Sequence, residues 1–113
     1  MTRLGADFFQ LFPNFQWRYR HVLESLLRGE TGHRVTDRDR GIISEFLRTL
    51  EFLSSDWGDL AGAYRVAMRF PNSTRAHNVF YDLEAFNAMA STLVRRCNIY
   101  LAERFGIHMS GIN

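Results

Sequence analysis

Hydrophobic residues return every three or four positions along most of the chain, and the clearest run lies in its middle. Ile43, Phe46, Leu50, Leu53, Trp57, Leu60, Tyr64 and Ala67 alternate steps of three and four without a miss, the spacing of a heptad seam on one side of a helix. Ser54, Ser55, Asp56 and Gly58 invite a break, with Asp56 and Asp59 available to start a new helix, but the seam holds register through them and predicts a continuous or slightly bent helix over 37–70. At 1.5 Å per residue such a helix is about 50 Å long. Thr36 and Asp39 have capping-box spacing, aspartate standing where glutamate is usual, and Asp37 and Asp39 suit the positive end of the helix dipole. After Pro71 a second seam follows: Ala76, Val79, Leu83, Phe86, Ala90, Leu93, Cys97 and Tyr100, with Asn72, Ser73 and Thr74 as its cap and Gly106 as an easy left-handed stop. Two matched helices joined by a tight turn predict an antiparallel hairpin.

Upstream, Pro13 is acceptable at a helix's first position, and Phe15, Tyr19, Val22, Leu23, Leu26 and Leu27 mark one face of a helix of about 16 residues that stops at Gly29. Phe8, Phe9 and Phe12 predict a short extra helix before it. The expected fold is therefore all-α, with short N-terminal helices packed on a long antiparallel helical hairpin, in a single domain over 1–113. Leu47, Phe80, Val94 and Leu101 widen the apolar stripes, as when each helix touches two neighbours. So short a cover leaves apolar surface over, which predicts a homodimer, a dimeric bundle.

Composition bounds the class. The 113 residues are 46% hydrophobic and 23% charged, the balance of a globular chain. No apolar run approaches the roughly 18 residues of a membrane span, and the first residues lack the apolar core of a secretion signal, so a cytoplasmic protein with no membrane association is expected. All 14 basic residues are arginine. The formal charge is +2 and the pI about 9.1, but no segment among five successive ones carries more than +2. Charge scattered in this way argues against a nucleic-acid face, which gathers phosphate-neutralising residues on one side.

Candidate chemistry is thin. His21, His33, His77 and His108 form no i, i+4 or i, i+2 pair. Glu30 and His33 have the Glu-x-x-His spacing of di-iron bundles, but in one copy and between glycines. No Gly-x-Ser-x-Gly turn and no phosphate-cradling glycine loop is present. Cys97 sits on a seam, where a thiol is a small buried hydrophobe. Asp82 and Glu84 read as a solvated face; of Arg65, Arg69 and Arg75, two lie one turn apart near a helix C-terminus, where the dipole favours cations, and the competing reading of the three is an anion or nucleic-acid site. Trp17, Arg18, Tyr19, Arg20 and His21 interleave rings and cations, but on a helix they point in different directions. Neither catalysis nor a cofactor nor a metal is expected.

Four apolar residues fall out of phase with the seams: Trp17, Phe52, Val66 and Ile99. Either they pack against the first helix or the dimer mate, or they mark a partner site: tryptophan, large aliphatics and arginine make interface hot spots, so these four, with Arg18 beside Trp17, are the candidate partner-binding residues. The layout as a whole, an aromatic N-terminal helix before a long hairpin with one buried cysteine and no catalytic motif, resembles the small bacterial quorum-sensing antiactivators of the QslA type. That resemblance implies a homodimer that binds the ligand-binding domain of a LuxR-type transcription activator, prevents its dimerisation and keeps it off DNA. The competing reading is a small nucleic-acid-associated all-α protein using its surface arginines.

Overall fold

A computed structural model describes the backbone of residues 2–109 and the side chains of residues 9–109. It is all-helical: α1 spans Thr2–Leu27, α2 Asp37–Arg69 and α3 Thr74–Phe105. The helices run up, down and up. Phe9 meets Trp57 while Arg20 meets Glu51, so α1 and α2 are antiparallel. Asp39 meets Arg104 while Tyr64 meets Phe80, so α2 and α3 are too. The rod measures 53 × 22 × 18 Å, its length that of one 33-residue helix.

The long hairpin is as the seams predict. Thr36 caps α2 in a complete capping box with Asp39, and α2 passes through Ser54–Gly58 without a break. Asp56 and Asp59 thus start no helix. Ser73 caps α3 through the N–H of Ala76, and Gly106 closes it at φ 67°, its N–H donating to the Ala102 carbonyl. Every α3 seam residue from Ala76 to Cys97 is buried, as are Ile43, Leu50, Leu53, Leu60 and Ala67 of α2. Phe46, Trp57, Tyr64 and Tyr100 are half-buried at the edges of this core.

The N-terminal helices are corrected. There is one helix of 26 residues, with Pro13 inside it. Proline in a helix interior lacks the N–H that would bond the carbonyl four residues back, here that of Phe9. That carbonyl instead accepts a hydrogen bond from the Trp57 indole Nε1 at 2.7 Å. The Phe9 and Trp57 rings stack at 5.3 Å, and Phe9 and Phe12 both meet Phe86 edge-on. Burial of Phe9 and Phe12 on the same stripe as Phe15 and Tyr19 outweighs a proline cost of about 3 kcal/mol. The side chain of Phe8 lies outside the described residues. Because α1 is this long it covers one face of the hairpin along most of its length, and only the opposite face stays open.

Candidate functional site

The reactive groups are withdrawn or locked. Cys97 is buried, and burial pushes its thiol up to about 12. Beside it the Tyr19 hydroxyl donates to Asn98 Oδ1 at 2.5 Å, and its pKa is likewise pushed up to about 12, chiefly by burial. Asp39 is 3% exposed and the most heavily bonded side chain described. One oxygen accepts from Tyr100 Oη at 2.6 Å and Arg104 Nε at 3.0 Å; the other accepts from Arg104 Nη2 at 2.7 Å and the Thr36 N–H at 3.0 Å. The hydrogen bond from Tyr100, then those from Thr36 and Arg104, hold this carboxyl well below the ordinary range. Burial first, and then the Asp39 carboxylate, push Tyr100 upward. With every oxygen engaged, this cluster ties the start of α2 to the end of α3 and has no lone pair free for a ligand.

Glu30 is held by Arg28 Nε at 2.9 Å, and the His33 ring lies edge-on to Phe105 at 5.5 Å, so the Glu-x-x-His pair does not converge. Among the described residues no group of three or more His, Cys, Asp or Glu could hold a metal. No described helix is long and apolar enough to cross a membrane.

The open surface is where the out-of-phase residues stand. Trp17 is 64% exposed, Phe52 58%, Ile99 51% and Val66 47%. They do not form one patch, because three helices around one core turn their outer faces apart. Trp17 lies on the outer face of α1, stacked on His21 at 5.9 Å; Arg18 next to it is half-buried and engaged with its neighbours. The stretch from Trp17 to His21 is dispersed as helical phase requires, with Tyr19 buried and Arg20 on Gln16 and Glu51.

On the face away from α1, the hairpin has a groove of about 440 Å³ lined by Glu45, Phe46 and Thr49 of α2 and by Ala88, Met89, Thr92, Leu93 and Arg96 of α3. Phe52 stands one turn beyond Thr49 and Ile99 one turn beyond Arg96, so both flank this groove while Trp17 lies across the bundle from it. The sequence reading missed the groove. Its signal is the pairing of small residues, Ala88 and Thr92 on α3 with Thr49 on α2, where larger side chains would have filled the space. It also missed further exposed apolar residues, Leu11, Met68, Phe70, Tyr81 and Met89. Val66 belongs with Met68 and Phe70, near the turn end of the rod.

Compared with protein-family models, with curated proteins and with solved structures, the chain matches none of them.

Proposed function

We propose that the chain is a regulatory protein-binding module, an antiactivator that docks on the ligand-binding domain of a LuxR-type transcription activator and blocks its dimerisation and DNA binding. The observation that carries a binding role is the set of large apolar side chains held in the open on a well-packed bundle: Trp17 on α1, and Phe52 and Ile99 beside the groove. A monomer gains nothing in stability from exposing them, and such residues supply the anchors of interfaces. The antiactivator role itself rests on the layout described above, a long hairpin with an aromatic N-terminal helix and no catalytic constellation.

Two opposed surfaces allow a division of labour. A second copy occupies the groove face between Phe52 and Ile99, forming the homodimer, and the activator occupies the outer face of α1 around Trp17 and Arg18. The groove face suits self-association across a two-fold axis perpendicular to the rod. Asp56, Asp59 and Asp82 make no ion pair among the described residues, and burial with mutual repulsion raises the pKa of Asp56. Arg96, nearer the other end, likewise makes no ion pair among the described residues, so a reversed copy would set it toward those carboxylates.

The test is a titration of the chain into a LuxR-type activator bound to its operator DNA. Release of the DNA together with loss of the activator dimer is the expected result. An activator that stays dimeric and DNA-bound at saturating concentration contradicts the reading.

A further inference from the structure

The turn between α2 and α3 combines three features that stability does not explain. From Leu60 to Tyr81 the chain contains no carboxylate but carries Arg65, Arg69 and Arg75. All three arginines are exposed, and none pairs with a carboxylate among the described residues. The dipole of α2 accounts for cations in its last turns; it does not account for Arg75, which stands in the first turn of α3, where a cation is disfavoured and no acidic residue offsets it. Three large apolar side chains stand among these arginines: Val66 at 47%, Met68 at 55% and Phe70 at 63% exposure.

We propose that this end of the rod, Val66, Met68 and Phe70 ringed by Arg65, Arg69 and Arg75, docks on an anionic lipid surface. The shape favours lipid over a folded partner. Val66 and Met68 differ in helical phase by about 200°, and Phe70 lies at the helix end, so the three stand on different sides of the tip and a flat protein face does not meet them all at once. A fluid interface wraps a convex tip. From Phe70 back to Val66 is four residues, about 6 Å of helix, which matches the roughly 5–10 Å to which apolar side chains sink at a headgroup boundary. The arginines then lie at headgroup level, where cations are drawn to anionic lipid. An expectation of no membrane association drawn from the lack of a spanning segment does not bear on such a tip, which needs none.

The experiment is co-sedimentation of the full chain with phosphatidylcholine vesicles, with and without about 30% phosphatidylserine. Binding to the anionic vesicles should be at least about tenfold stronger, and should fall away by about 0.5 M salt as the surface potential is screened. Phe70→Ser with Met68→Ser should weaken it about tenfold or more, as should Arg65→Gln with Arg69→Gln and Arg75→Gln, while melting stays unchanged because every altered side chain is exposed. A Phe70→Trp variant should shift its fluorescence to the blue on the anionic vesicles only. Absence of vesicle binding at either composition overturns the proposal, as does binding that ignores the tip substitutions. If the same variants instead abolish binding to a nucleic acid or an acidic protein while vesicles stay unbound, the proposal is equally overturned.

Discussion

At Pro13 the chain gives up a backbone N–H inside α1, and the carbonyl it would have served is taken over by Trp57 from another helix. An unsatisfied buried carbonyl costs about 1–3 kcal/mol, so Trp57→Phe should destabilise by at least that much in chemical denaturation. Pro13→Ala returns the missing donor. In that background the penalty of Trp57→Phe should shrink by about 1 kcal/mol or more, and a double-mutant cycle with no coupling would show that the indole bond is incidental. Cys97 permits a second residue-scale prediction. Its thiol is kept neutral by burial, so it contributes stability that is complete below the ordinary value of 9.0 and is lost as pH rises through about 12. Cys97→Ala should cost only about 1 kcal/mol, leave function intact and flatten the alkaline limb. Rapid modification of the native thiol by a thiol reagent would contradict this placement.

At the scale of elements, α2 and α3 were legible because their signals agree. The heptad steps, the Thr36–Asp39 box, the Ser73 cap and Gly106 all mark the same boundaries, and the seam overrides the weak breaker at Ser54–Gly58. Helix α1 was misread because Pro13 speaks locally for a start, whereas what carries the helix through it is a contact between Phe9 and Trp57, 48 positions apart in sequence, that spacing cannot reveal. The role of Asp39 was half legible. Its cap is local, but its bonds to Tyr100 and Arg104 come from the far end of the chain. These bonds depress the Asp39 pKa, so they contribute stability above the ordinary value of 3.8 that is lost as pH falls through the lower folded value. Acid unfolding followed by circular dichroism should therefore be shallower in Asp39→Asn, which starts less stable at neutral pH, and parallel acid profiles for the two proteins would contradict the clamp.

At the scale of the molecule, the exposure of Trp17, Phe52, Val66 and Ile99 could be read from their phase against the seams, whereas their separation onto different outer faces needed the third helix in place. The basic turn end was legible only as cations of a helix terminus, because charge summed over residues 55–75 joins Asp56 and Asp59 to Arg65, Arg69 and Arg75 and nearly cancels them. A homodimer should give roughly twice 13.2 kDa in sedimentation equilibrium at micromolar concentration, and Phe52→Ala should shift it toward the monomer. A monomer throughout would remove the groove as an interface. The account turns most directly on Trp17, whose value must lie in binding and not in folding. The deciding measurement pairs the melting temperature with activator affinity for Trp17→Ala, against Leu50→Ala as the core control, which should lose about 2–5 kcal/mol of stability. Trp17→Ala should melt like the unaltered chain and bind the activator more weakly by about 2 kcal/mol or more. A Trp17→Ala protein that melts as early as Leu50→Ala, or that binds undiminished, would contradict the account.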